Sequence, residues 1–247
     1  MKIIGIIPAR YASTRFPGKP LVDIGGKTMI RRVYEQARKS TLLQDVFVAT
    51  DDMRIAEEVT RFGGNYVMTL ETHKSGTDRC NEVVDKLSAE GQHFDVAINI
   101  QGDEPFIDPS QIDDLARLFL KKEVKIATLI KKIKDNEELF NHNVVKVVTG
   151  NDGLALYFSR QTIPHYRNFP SGEWLEKGAF YKHIGIYGYQ TNILRELVKL
   201  PQGILETAES LEQLRWLENG FSIHTQITEK EGVAIDTPED LMKIKNF

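Results

Sequence analysis

This chain of 247 residues has one cysteine, Cys80, so no intrachain disulfide can staple it. A lone thiol suits a reducing compartment, and a cytoplasmic protein is expected. Charge of one sign is scarce: 32 Lys and Arg stand against 35 Asp and Glu, a net charge of −3. No global basic surface steers nucleic acid, so any anion has to be held by local clusters. Long apolar runs are missing as well. Ile3 to Ile7 is too short for a signal-peptide core and is interrupted by Pro8 and Arg10. No segment approaches the length of a membrane span, so membrane insertion is not expected. There is no internal repeat and no low-complexity linker.

Several catalytic signatures are absent too. The first strand is not followed by Gly-x-Gly-x-x-Gly, which gives a dinucleotide fold little support. Gly18-Lys19 lacks the upstream glycine and the following hydroxyl of a Walker A loop. Gly-x-Ser-x-Gly does not occur, Cys80 has no histidine nearby in sequence, and no His/Cys cluster has zinc spacing. Covalent catalysis is therefore not expected. Positioning, fixed cations and Mg²⁺ would have to carry a reaction.

What is present fits an α/β domain. Apolar residues make up 41% and charged residues 27%, enough to bury a core and too ordinary for general disorder. Strand patterns at Lys2–Pro8, Asp45–Thr50, Tyr66–Met68, Val96–Ile100 and Ile126–Ile130 alternate with helical ones. Met29, Ile30, Val33, Tyr34 and Ala37 form one helical stripe; Asp52 caps a second helix that ends at Gly63-Gly64. Further helices are expected over Thr77–Leu87 and from Pro109 to about Leu120. This alternation predicts a mostly parallel, doubly wound sheet with ligands at the carboxyl ends of its strands. Later, Val144–Val148 and Leu154–Phe158 flank Asn151-Asp152-Gly153, a hairpin signal. Lys182–Tyr189 reads as a strand, Ser210–Asn219 as an amphipathic helix, and 170–180 as a loop or accessory hairpin. Thr237-Pro238-Glu239-Asp240 opens a last helix.

Several segments carry candidate chemistry. Arg10, Arg15 and Lys19 lie in the loop after the first strand, with Ser13 among small residues and a Pro17-Gly18 turn. They form either a phosphate clamp or a solvated basic loop. Asp103 follows the Val96–Ile100 strand and suits a hard cation that takes one or two carboxylates, or else it belongs to an acidic turn. Pro109 is too far along for Asp103 to be needed as its cap. Asp236 precedes a helix that Thr237 already caps, so it is free to be a second metal ligand, although acids before helices are common. Ser75, with Gly76-Thr77-Asp78-Arg79, is either an anion or base site or an ordinary cap. His183 and Tyr187, four apart on a strand, share a face.

Read together, Pro8–Leu21, Ser75–Arg79, Gln101-Gly102-Asp103-Glu104-Pro105, Ala155–Arg160, His183–Tyr189, Leu211–Arg215 and Asp236–Asp240 resemble the 3-deoxy-manno-octulosonate cytidylyltransferases, the CMP-Kdo synthetase family of Gram-negative bacteria. The segments occur in the family's order and span nearly the whole chain. The resemblance implies a Rossmann-like nucleotide-diphospho-sugar transferase fold as one domain over 1–247. A smaller subregion near 135–200 would help form a homodimer. It implies CTP and Kdo as substrates, CMP-Kdo and pyrophosphate as products, Mg²⁺ as cofactor, and a place in lipopolysaccharide synthesis. By the same resemblance, Arg10, Ser13, Arg15 and Lys19 grip the CTP phosphates, with Ser75, Arg79 and Gln101 also on the nucleotide. Asp103 and Asp236 hold Mg²⁺. Gln101, Arg160, Arg167, His183, Tyr187, Glu212 and Gln213 form the sugar pocket. Where the family often has aromatic-Asp-Arg, this chain has His165-Tyr166-Arg167. The alternative substrates are 8-amino-Kdo and sialic acid. Sialic-acid enzymes open with Ala-Arg-x-Gly-Ser-Lys, unlike Ala9-Arg10-Tyr11-Ala12-Ser13-Thr14-Arg15. A glycosyltransferase would show Asp-x-Asp where this chain has Gln101-Gly102-Asp103-Glu104. A non-catalytic nucleotide-binding module would not need both surplus aspartates.

Overall fold

The strands form where short apolar runs meet turn residues, and the helices where apolar side chains recur every three or four positions. A computed structural model describes residues 1–12 and 16–244. In chain order the strands are β1 (Ile3–Ala9), β2 (Asp45–Thr50), β3 (Asn65–Met68), β4 (Val96–Asn99), β5 (Ile126–Lys132), β6 (Lys146–Thr149), β7 (Ala155–Ser159), β8 (Tyr181–Gln190) and β9 (Ile223–Ile227). The helices are α1 (Met29–Ala37), α2 (Met53–Arg61), α3 (Gly76–Ala89), α4 (Pro109–Leu118), α5 (Asn136–Phe140), α6 (Trp174–Lys177), α7 (Thr191–Leu197), α8 (Ile204–Glu209), α9 (Gln213–Glu218) and α10 (Pro238–Ile244).

The main sheet runs β3-β2-β1-β4-β8-β5-β9. β1 pairs in parallel with β2 and β4, β2 with β3, and β5 with β9. β8 is antiparallel to β4, β5 and β6, and β6 carries β7 as its other antiparallel partner. Side chains alternate across β1, so Ile3 and Ile7 enter the core under α1, α2 and α4, while Ile4 and Ile6 enter the core under α3, α7 and α9. The strand order reverses about β1, whose outer neighbours run to β3 on one side and to β4 on the other. The crevice at the carboxyl ends of β1 and β4 is therefore the ligand position of an open α/β sheet.

Most expected elements form within two residues of their sequence positions. Asp52 and Ser75 cap α2 and α3, and Asp108 caps α4, so Asp103 is spared that role. Gly153 (φ 78) turns the β6–β7 hairpin. The segment at 170–180 is neither loop nor hairpin throughout: α6 forms there because Trp174 is drawn into a small cluster with Ile133, Leu139 and Phe180. Within 135–200, β6, β7 and β8 all join the one nine-stranded sheet, and α7 lies in its helical layer. Lys146 ties the hairpin down, its buried ammonium donating to the carbonyls of Asn141, Val144 and Arg160 at 2.8, 2.6 and 2.7 Å.

Candidate active site

A cavity of about 380 Å³ opens at the carboxyl ends of β1 and β4. Its floor and walls come from chain segments that are far apart in sequence. A wider groove runs on from it over α3 toward α8 and α9, sharing His73, Lys74, Ser75 and Glu212 with it.

Two backbone contacts bring the acidic groups together. Gly102 follows β4, and a Cβ there would lie 2.6 Å from the Pro8 carbonyl oxygen. Only glycine lets the β4 exit pass this close to the end of β1. The next residue, Asp103, uses its backbone carbonyl to accept from Ile235 N–H at 2.9 Å. Ile235 is fully buried with Ile24, Met29 and Leu241. Burial of Ile235 thus fixes Asp236 beside Asp103. Asp240 is the acidic partner of the Thr237 cap, accepting from Thr237 N–H and Asp236 N–H at 3.1 and 3.2 Å.

Lys19 completes this side. Its ammonium donates to Asp103 at 2.9 Å and to Asp236 at 3.1 Å. Gly18 (φ 72) makes the turn into Lys19, and its N–H donates to the Tyr11 carbonyl at 3.0 Å. The Tyr11 ring packs on Gly18, leaving 3.2 Å to any Cβ. Arg54, held by Asp52, stacks 3.3 Å over the Tyr11 ring centroid. The loop's two ends are thereby closed on each other, and exposed Arg10 faces the cavity.

The opposite side is built from β8 and the start of α9. Gln101 donates to the Gly185 carbonyl at 2.7 Å, joining the β4 exit to β8. Tyr187 and Tyr189 stack 6.0 Å apart with their edges on Trp216. Both tyrosines and Asn99 line the cavity, with their phenol oxygens and the Asn99 side-chain oxygen buried. Burial, then the nearby Glu212, pushes both phenols well above their ordinary pKa, so they stay neutral donors. Glu212 accepts from the Thr77 hydroxyl at 2.7 Å. Its own pKa is raised by burial, a shift opposed by its hydrogen bonds to Thr77 and Ser75.

Paired carboxylates, cations and buried polar side chains around one crevice suit two anionic, oxygen-rich reactants. Residues 4–230 match the sequence profile of the cytidylyltransferases. The chain belongs to that family. It is 56% identical over 245 residues to a 3-deoxy-manno-octulosonate cytidylyltransferase of Cytophaga hutchinsonii, covering 99% of this chain and 96% of the relative. It is 54% identical to the Parabacteroides distasonis protein of the same name, covering 100% and 98%. A solved CMP:2-keto-3-deoxy-manno-octonic acid synthetase, complexed with CTP, superposes with a TM-score of 0.91 at 42% identity, covering 100% and 98%. The 4-diphosphocytidyl-2C-methyl-D-erythritol synthase of Anaerococcus prevotii shares the fold alone, at 14% identity and a TM-score of 0.64 over 99% of this chain and 95% of that one.

In this cytidylyltransferase the cavity gathers Arg10, Lys19, Ser75, Arg79, Gln101, Asp103, Tyr187, Glu212 and Asp236 from the sequence candidates. Ser13 and Arg15 lie outside the described residues. Arg79 is at the wall, but its guanidinium is committed to Asp51 at 2.6 Å and Thr69 at 2.8 Å. Four sugar-side candidates stand away from this cavity. The Arg160 guanidinium is drawn to the Glu209 carbonyl at 2.7 Å. Arg167 is exposed on the loop between β7 and α6, while Gln213 is buried in the first turn of α9. The His183 ring packs between Phe158 and Tyr187 and meets the Thr128 hydroxyl at 2.9 Å. Sequence reasoning missed Tyr189 and Asn99. The two-residue strand period would have placed Tyr189 beside Tyr187, and Asn99 is the one polar residue in the Val96–Asn99 strand.

Gly102→Ala should displace Asp103, lowering stability by about 1–3 kcal/mol in urea unfolding and turnover by about tenfold or more. Unchanged turnover would show that the close backbone approach does not position the carboxylates. For His183, burial lowers the pKa from 6.5 to about 3. The unfolded chain then binds the proton first. This contribution to stability is complete above pH 6.5 and is lost as pH falls toward 3, about 2 kcal/mol by pH 5. Urea midpoints at pH 7.5 and 5.0 check this: His183→Gln should have the shallower acid loss, and equal losses in both proteins would refute it.

Proposed function

We propose that this protein transfers CMP from CTP to the anomeric hydroxyl of Kdo, forming CMP-Kdo and pyrophosphate with Mg²⁺. The observation that carries the reading is the convergence of Asp103 and Asp236 on one cation position beside the β1 loop, in a chain related along its whole length to enzymes named for this reaction. The residues fit the metal. Among the described residues no group of three or more His, Cys, Asp or Glu is gathered to cage an ion. Two carboxylates, with phosphate oxygens and water completing the shell, match what Mg²⁺ takes. When bound, the ion supplies charge neutralisation at the α-phosphate and lowers the pKa of the attacking hydroxyl.

The chain's own groups do the rest. Both reactants are anions, so their approach is opposed by repulsion. Arg10 and Lys19 offset the charge of the triphosphate, and Asp103 and Asp236 hold the metal. Gln101, anchored on Gly185, presents its remaining amide capacity between the two halves of the cavity. Tyr187 and Tyr189 are neutral donors for sugar oxygens, and Glu212 accepts from sugar hydroxyls. His183 stands away from the cavity, its ring packed behind Tyr187. Charge and orientation therefore carry the barrier, as in other phosphoryl-type transfers. A homodimer in the cytoplasm that feeds lipopolysaccharide synthesis completes the reading.

Pyrophosphate release tests it, with CTP against other triphosphates and with Kdo, 8-amino-Kdo and sialic acid in parallel, with and without Mg²⁺. Turnover is expected with CTP, Kdo and Mg²⁺ together; none with Kdo or its amino analogue would overturn the reading. Asp103→Ala should lower kcat by about 10²-fold or more, a larger loss than Tyr189→Phe causes. Near-normal kcat of Asp103→Ala at saturating Mg²⁺ would remove Asp103 from the metal site.

A further inference from the structure

Two lysines stand directly opposite each other on the sheet, Lys131 on β5 and Lys182 on β8. Like charges so placed are unfavourable unless an anion bridges them. Glu231, from the segment after β9, is such an anion: one carboxylate oxygen accepts from Lys131 at 3.0 Å and the other from Lys182. We propose that Glu231 is a positioning residue, and that its bridge to Lys131 and Lys182 clasps the strap that brings Asp236 beside Asp103. The bearing on metal rests on the proposed function; the clasp itself does not.

Two backbone bonds bound the strap. Thr228 N–H donates to the Ile130 carbonyl at 2.9 Å as β9 ends, and Ile235 N–H donates to the Asp103 carbonyl at 2.9 Å. Between them, residues 229–234 form no helix or strand. Their route runs past acids. Gly232 packs on Glu104, whose carboxylate oxygen would lie 2.6 Å from a Cβ there, and Glu104 and Glu231 repel each other. Without a counter-charge, that repulsion pushes the strap off the β4 exit and takes Ile235 and Asp236 with it. Lys131 and Lys182 supply the counter-charge. The Lys182 side chain is 7% exposed and that of Lys131 19%, so solvent screens this network less than a surface pair. The second acidic partner of Lys182 is Glu138 of α5. The ion pairs Lys134–Glu229 and Lys230–Asp108, at 3.3 and 3.2 Å, also touch the strap, but their lysines are mostly in water and hold it less. Gln111 adds a long bond of 3.4 Å to the Lys230 carbonyl. None of Lys131, Lys182 and Glu231 is among the described residues that line the cavity. Glu231 therefore acts on the site through the main chain of residues 232–235.

The experiment follows backbone amide exchange by NMR in the full chain without metal, nucleotide or sugar, in wild type, Glu231→Gln and Lys182→Met. Ile235 N–H should exchange about fivefold or more faster in Glu231→Gln, while Thr225 N–H within β9 stays within about twofold of wild type. Lys182→Met should act in the same direction, and the double variant should add less than about twofold to the larger single effect, because both act through one bridge. An unchanged Ile235 rate, or one matched at Thr225 as general loosening would give, overturns the proposal. Either single variant decides alone should the other not fold. In the pyrophosphate assay Glu231→Gln should need about fivefold or more Mg²⁺ for half its maximal rate, with the KM for Kdo within about twofold of wild type. An unchanged Mg²⁺ requirement overturns the link to Asp236. No turnover in wild type would instead overturn the proposed function and leave the exchange rates to decide the clasp.

Discussion

The site depends on one constraint: two carboxylates from distant parts of the chain have to face the same cation, the Lys19 ammonium. Asp103 and Asp236 are held to it by backbone, not by their own side chains. The Gly102 contact with Pro8 and the Ile235 N–H to Asp103 carbonyl bond place the two residues through their main chain. Burial of Ile235 supplies the energy, on the order of 1.5–3 kcal/mol for a fully buried aliphatic side chain. An acidic pair held only by its own hydrogen bonds would trade orientation for every bond made to a ligand.

Around that pair the cavity divides by solvation. Arg10 and Lys19 approach from the loop after β1, Arg10 exposed and Lys19 part-buried against the carboxylates. Tyr187, Tyr189 and Asn99 approach from strands in the buried sheet, where they are held in place. The first arrangement suits a triphosphate whose leaving half has to depart. The second suits a sugar whose many hydroxyls are read by fixed groups, since an unmatched buried polar atom costs about 1–3 kcal/mol. Stacking of the two phenols against Trp216 keeps them rigid, so the selectivity of that wall resides in geometry more than in charge.

The parallel half of the sheet was legible because its strands are short, apolar and punctuated, as Asp45–Thr50 illustrates residue for residue. β9 was not, because Ile-His-Thr-Gln-Ile at an edge carries little apolar signal. Helices α5, α7 and α8, of five to seven residues, are too brief for a helical period to declare itself. In the site, Arg10, Lys19 and Asp103 could be picked out by their places after strands, and Asp236 by its place before a helix that Thr237 already caps. The fate of Arg79, Arg160 and His183 was not. Each was named for its residue type, and each is claimed by a partner no local pattern announces: Asp51, the Glu209 carbonyl and the Thr128 hydroxyl.

That difference has a common physical source. A residue at the end of a strand is aimed by the backbone, so its sequence position carries its direction. A long side chain in mid-element is aimed by whatever polar group lies within reach, which only the assembled fold determines. Arg79 makes the point: buried in α3, it has to be neutralised, and Asp51 at the end of β2 is the acid that does so. The arginine nevertheless stays at the cavity wall, where it braces α3 and with it the Ser75 cap and Thr77 beside Glu212. Its charge goes to holding the wall in place, which leaves Arg10 and Lys19 as the described cations of the β1 loop that line the cavity.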